Sequence, residues 1–232
     1  VHDVGKVTPQ FCSQAKHGFE ELLAGMARHG LTAQAHPDKP QHATMGQVIL
    51  TDWLVAQSGV NRRLAGSYAS VIGGHHGRNP TSATLRSVQA SPTALGTGRW
   101  AEVQAEVLDG IAAHTGADVH WVDWLARPLP AAAQSLLTGL VIMSDWMASN
   151  IDYFPYDAIL TTPARLDRAR KALDLPRPWA PEDWGPDADP TSLLQQRFPQ
   201  LTGRPARSIQ AELIAAAHAC AEPPLLIVEA PM

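Results

Sequence analysis

Through its first 170 residues the chain repeats apolar side chains at helical spacing, and nowhere there does it alternate apolar with polar as a strand would. That one feature excludes a sheet-based architecture and makes this portion all-α. Val1 to about Gly30 reads as helical with one break, where Thr8 caps and Pro9 opens a helix that runs through Phe11, Phe19, Leu22 and Leu23. After a loop with two prolines (Ala35 to Gln41), a helix from His42 sets Met45, Val48, Ile49, Trp53 and Val55 on or near one face. A further helix through Leu64, Tyr68 and Ile72 ends at Gly73-Gly74. His75-His76-Gly77 follows, then a polar, glycine-containing loop is expected through Gly98, and helical signal resumes from Trp100 to about His114. The most apolar stretch, Ala131 to Asn150, reads as a buried core helix with Asp145 set inside it. Its apolar run is short and broken by Thr138, Gly139, Ser144 and Asp145, which rules out a membrane span.

The pattern changes beyond residue 170. Leu175 to Pro190 (LPRPWAPEDWGPDADP) contains repeated prolines and reads as a linker or extended segment. Arg207 to Ala221 looks helical. Pro224 to Glu229 is a short apolar run of the kind found in a buried strand, and no partner strand accompanies it. It is expected to belong to a domain that continues past Met232.

Composition narrows the function classes. With 45% hydrophobic and 17% charged residues the chain is an ordinary globular one, and no secretory leader is evident, so a cytoplasmic protein is expected. Cys12 and Cys220, far apart, make neither a disulfide framework nor a thiolate zinc site. A net charge of −4 argues against indiscriminate nucleic-acid binding but suits an acidic site that carries cations. The ten histidines are unusual, and the question is whether some converge.

The candidates are His2-Asp3, His42 at the start of an apolar helix, His75-His76 at a helix end, and Asp145 within the most apolar helix. Taken singly, each has an ordinary structural explanation as a solvated or capped residue. Their joint order, HD…H…HH…D on successive helices, is far less expected by accident. A carboxylate buried without a partner costs several kcal/mol, on the order of the relaxed penalty for burying an ion, and a divalent cation shared with imidazoles would remove that cost. Imidazoles mixed with carboxylates suit transition metals, whereas magnesium and calcium prefer all-oxygen sites. Two such ions a few ångströms apart can promote phosphodiester hydrolysis, and Lys6 can reach a phosphate or the charge that develops on it. His36 rivals His42, but it sits in the proline loop. His17, His29, His114, His120 and His218 have no comparable context.

These residues together resemble a known family. The segments His2-Asp3-Val4-Gly5-Lys6, Gly74-His75-His76-Gly77, Ser144 to Asn150 (SDWMASN) and Phe154-Pro155-Tyr156 are similar to the HD nuclease domain of the CRISPR-associated nuclease-helicase of type I systems. Arg204 to Gln210 resembles the glutamine motif ahead of the helicase core, and Leu225 to Met232 (LLIVEAPM) resembles the first strand of the RecA-like helicase domain. The resemblance implies an HD-type helical domain at 1–170, a proline-rich linker at 171–203, and the start of the helicase domain at 204–232. It implies a metal-dependent nuclease that degrades single-stranded DNA in antiviral defence by two-metal-ion hydrolysis. The implied partners are an RNA-guided surveillance complex and the ATP-driven helicase domain downstream in the same polypeptide. His2, Asp3 and Asp145 would hold one ion. Asp3 would bridge to a second ion held by His42, His75 and His76, with Lys6 assisting at the phosphate. Ser149 and Asn150 would stand behind the ligands or touch DNA. The ions would be manganese, nickel, cobalt or iron before magnesium. ATP would belong to the helicase part only.

The family carries one further ligand histidine upstream of the HD pair, and at the other end the chain stops before a phosphate-binding loop. The resemblance therefore implies a segment of a longer polypeptide. Two other readings share some of these features. One is an HD phosphohydrolase acting on nucleotides or cyclic dinucleotides, and the other is a catalytically silent interaction domain.

Overall fold

A computed structural model describes residues 1–15, 18–155, 161–173, 185, 188–220 and 226–228. The chain divides into two compact units, Val1–Asp174 and Leu175–Met232. The first is all-helical among the described residues.

The first unit opens on a single 3₁₀ turn, Val4–Lys6, followed by α1 (Pro9–Cys12) and α2 (Glu20–Arg28). The long N-terminal helix expected from the sequence is thus split between α1 and α2. Gly18 takes a φ of +97°, which a continuous helix does not allow, and Phe19 and Leu22, expected on its apolar face, are exposed. Thr8 closes the first piece. Its buried hydroxyl donates to the Gly5 carbonyl (2.8 Å) and accepts from the Phe11 amide (3.2 Å).

Next come α3 (His42–Ser58) and α4 (Arg62–Gly73), the most intimately packed pair. Ala65 and Ala69 are fully buried and let the two backbones approach closely. Nearly every residue of α3 from Ala43 to Leu54 is buried, with Met45 wholly so. The core therefore forms around α3: Ile49, Trp53 and Leu54 meet Ala65, Ile72, Leu108, Ala112 and Leu125 on one side. Met45 and Val48 meet Val88 and Ala94 on the other.

The expected loop between His75 and Gly98 contains two short helices, α5 (Ser82–Gln89) and α6 (Pro92–Leu95). Each lends the core one buried residue, Val88 and Ala94, with half-buried Leu85 and Leu95 packed beside them. Helices this short hold too few inward positions to make a periodic signal. The run from Trp100 is α7 (Arg99–Thr115), followed by the one-turn helix α8 (Trp121–Trp124).

The apolar stretch forms α9 (Ala131–Ala148), but it is not the buried core helix that its composition suggested. Thr138 alone is buried in it, donating to the Val71 carbonyl of α4 (3.2 Å). Leu136, Leu140, Met143 and Trp146 are exposed. Apolar content says that a helix face seeks cover; it does not say that the same unit supplies it. Among the described residues no helix is long and apolar enough to cross a membrane.

Helix α10 (Thr162–Leu173) completes the unit. The second unit contains α11 (Pro190–Arg197), capped by the Asp189 carboxylate on the Ser192 amide (2.8 Å), and α12 (Ser208–His218). Of the expected strand only residues 226–228 are described, and they carry no regular structure. The rest of that run, and most of the proline-rich segment, lie outside the described residues.

Candidate metal centre

Four stretches of chain meet at one point: the turn before Val4, the start of α3, the residues after α4, and the last turn of α9. The turn is fixed against α3 by two glycines. A Cβ on Gly5 would fall on the His42 carbonyl and 2.6 Å from the Gly46 nitrogen, and Gly46 itself lies close to Gly5 and Val4. Gly73 and Gly74 do the same for the histidine pair. Gly74 has an ordinary φ of −92°, so the glycines answer steric need rather than a left-handed cap. A side chain on Gly73 would strike Gln47, and one on Gly74 would strike Asn79.

His2, Asp3 and Asp145 form one group of potential ligands and His42, His75 and His76 another; within each group the ligand atoms lie within 4.8 Å of one another. Asp3 stands between the groups and turns one oxygen to each. Its Oδ1 is 3.3 Å from His42 Nε2 and 3.8 Å from His75 Nε2, and its Oδ2 is 3.4 Å from His2 Nε2 and 2.7 Å from Lys6 Nζ. Asp145 Oδ1 lies 3.3 Å from His2 Nε2 and accepts from Ser149 Oγ (3.1 Å). Asp145 is half-buried, so the cost of a deeply buried carboxylate inferred from its apolar neighbours is smaller than the sequence implied. Asn150 turns instead to the Asp152 amide.

The donor set fits a cation on grounds internal to the structure. His75 Nδ1 must donate to the Ile72 carbonyl (2.5 Å), because a carbonyl only accepts. In the neutral ring this leaves Nε2 as a bare lone pair, aimed at His42 Nε2 3.3 Å away. His42 Nε2 also faces His76 Nε2 at 3.0 Å and Asp3 Oδ1. One ring nitrogen carries at most one proton and cannot serve three acceptors. His2 Nε2 is buried and makes no hydrogen bond, although two carboxylates lie near it. A positive charge shared among these atoms would satisfy all of them.

Protonation favours the same outcome. Burial lowers the His75 pKa, the Ile72 bond opposes this, and the nearby His76, His42 and His2 lower it further. Burial and then His42 lower His76, against the opposing pull of Asp145 and Asp3. Burial resists ionisation of Asp3, but hydrogen bonds from His42 and Lys6 and the Lys6 charge outweigh it, holding this carboxyl well below the usual range. Near neutral pH His75 and His76 are thus held neutral and Asp3 ionised, the forms that ligate.

His36 is not part of this arrangement. Its amide donates to Gln10 Oε1, and its ring faces Asp38. Among the described residues, His29, His114, His120 and His218 also lie outside both groups, whereas His17 is outside the described residues. Sequence reasoning passed over Gly5, whose lack of a side chain admits the HD turn to α3. Its one signal was its position inside the HDVGK motif.

The sequence pattern of the family "Cas3, HD domain" matches residues 1–154, a span that contains every residue of the centre. The chain belongs to the Cas3 HD-domain family. It is 30% identical over 258 aligned residues to the CRISPR-associated nuclease/helicase Cas3 of Streptococcus thermophilus, an alignment covering 100% of this chain and 26% of that protein. A crystal structure of a CRISPR-associated protein matches it with a TM-score of 0.54 and 26% identity, over 94% of this chain and 24% of the other. The chain thus spans about a quarter of the length of these relatives.

Proposed function

We propose that the chain is a metal-dependent phosphodiesterase that degrades single-stranded DNA in CRISPR interference. The observation that carries this reading is the placement of Asp3, with one carboxylate oxygen toward each of two ligand groups drawn from distant parts of the chain. In this reading His2, Asp3 and Asp145 hold one divalent cation, and His42, His75 and His76, with Asp3 shared, hold a second. When bound, such ions supply Lewis acidity toward the phosphodiester and the attacking water. Manganese, nickel, cobalt and iron suit this imidazole-rich set better than magnesium.

The chain's own residues prepare the site. The Ile72 carbonyl fixes the ring and tautomer of His75. Ser149 orients Asp145. Lys6 keeps Asp3 ionised, and its half-exposed ammonium stands at the rim, where it can donate to a phosphate oxygen. We read 1–170 as the nuclease domain, 171–203 as a linker and 204–232 as the start of a helicase domain. The helicase domain and an RNA-guided surveillance complex are the partners that family membership supports.

The test uses labelled single-stranded and duplex DNA with manganese or cobalt. The full chain is expected to cut the single strand preferentially, and Asp3→Ala to abolish cutting. Cutting that survives Asp3→Ala would overturn the assignment. Hydrolysis confined to mononucleotides or cyclic dinucleotides would favour the phosphohydrolase reading.

A further inference from the structure

A second cleft, of about 460 Å³, opens between α3, α4 and α5; its walls include Val48 and Leu85, and none of the metal ligands lines it. Arg62, Arg63 and Gly66 of α4 line it, with Ser82, Arg86 and Gln89 of α5. Three guanidinium groups meet there in a chain of net charge −4. Arg62 is held in place. It pairs with Asp52, and with its amide oxygen turned inward Gln89 accepts from Arg62 Nε (3.3 Å) and Nη2 (3.2 Å). Among the described residues Arg63 and Arg86 meet no acidic partner.

Two features of this cleft cost the fold something, and the Arg62–Asp52 pair offsets only part of it. Arg62 and Arg63 occupy the first turn of α4, which has no acidic residue, so they sit where the helix dipole disfavours cations. Gly66 lies in the interior of the same helix, where glycine is a poor helix former, yet a Cβ there would meet nothing within 4 Å. No packing requires that glycine. What its bare backbone does is deepen the floor of the cleft beside the arginines. An anion in the cleft would answer both features, offsetting the charge on the dipole and filling the space above Gly66.

We infer that this cleft binds the phosphodiester backbone of the DNA strand at a point remote from the bond that is cut. The inference rests on the nuclease reading above. Helix α4 links the two places: Arg62 and Arg63 begin it and His75-His76 follow its end, roughly 18 Å away at 1.5 Å per residue. A strand held at the arginines would therefore be gripped a few nucleotides from the metal centre. The geometry favours backbone over base recognition, since guanidinium groups match phosphate oxygens and no aromatic ring lines the cleft.

The test measures binding of a fluorescein-labelled oligothymidylate to the full chain by anisotropy, without added metal, across a salt series. Arg63→Ala/Arg86→Ala is expected to weaken binding and to make the slope of log K against log salt shallower by about 1.4, from about 0.7 per phosphate contact on a single strand. Gly66→Leu is expected to weaken binding while raising the melting temperature, because it fills the cleft with a better helix former. A merely structural glycine would give no loss of binding. Unchanged affinity and slope in both variants, with wild-type binding intact, would overturn this inference alone. No strand binding by the wild-type chain would overturn it together with the nuclease reading. Displacement of the strand by inorganic phosphate at matched ionic strength would mark a small-anion site and overturn the strand assignment.

Discussion

Replacing Gly5 by alanine should separate the HD turn from the rest of the centre. The added Cβ would overlap the His42 carbonyl and lie 2.6 Å from the Gly46 nitrogen. Both obstacles are backbone of α3, the most buried helix, and neither can swing aside as a side chain would. The turn must retreat by about an ångström to restore ordinary contact, and overpacking of this kind costs about 1–3 kcal/mol. For a unit of this size each kcal/mol lowers the melting temperature by about 2–4 °C, so a fall of about 2–12 °C is expected. The effect on metal should be larger than that on folding. Ligand distances tolerate only about 0.2 Å, and the retreat carries His2 and Asp3 away from His42 and His75. Calorimetric titration of the folded variant with manganese, beside a thermal melt, reads both effects. A variant that melts as the wild type does and binds manganese with unchanged affinity would refute the packing argument.

Ser149→Ala removes the hydroxyl that orients Asp145. It should reduce metal affinity by roughly tenfold, the lower end for an outer-shell partner because the pair is exposed, and leave the melt unchanged. pH should act in one direction on stability. His75 and His76 have folded pKa values below the ordinary 6.5, so the unfolded chain binds their protons more readily, and stability falls as pH drops through about 6.5. Asp3, held below its ordinary 3.8, adds a further loss as pH falls below that value. Denaturant titrations from pH 8 to 3 should show this monotonic decline, and stability that rises on acidification through 6.5 would contradict it.

The sequence made the meeting of distant residues legible because each candidate carried a placement signal. His42 opened an apolar helix whereas His36 lay among prolines, and the structure separates them in that way. The doubled histidine followed a glycine pair whose backbone must pass close to Gln47 and Asn79. Other features were not legible because their signal is shared. The apolar contents of α3 and α9 look alike in a list of residues, yet α3 is enclosed on nearly all sides and α9 buries only Thr138. Helices α5 and α6 hide in a polar stretch because one buried residue and one half-buried leucine apiece dock them, too few for a periodic pattern. The arginine cleft joins Arg62-Arg63 to Arg86 across two helices, and only their packing brings them together.

The most direct test of the central claim is anomalous diffraction from crystals of the full chain soaked in manganese. The account predicts two peaks, one among His2, Asp3 and Asp145 and one among His42, His75 and His76, with Asp3 touching both. Ions located elsewhere, or a centre that stays empty at saturating manganese, would contradict it.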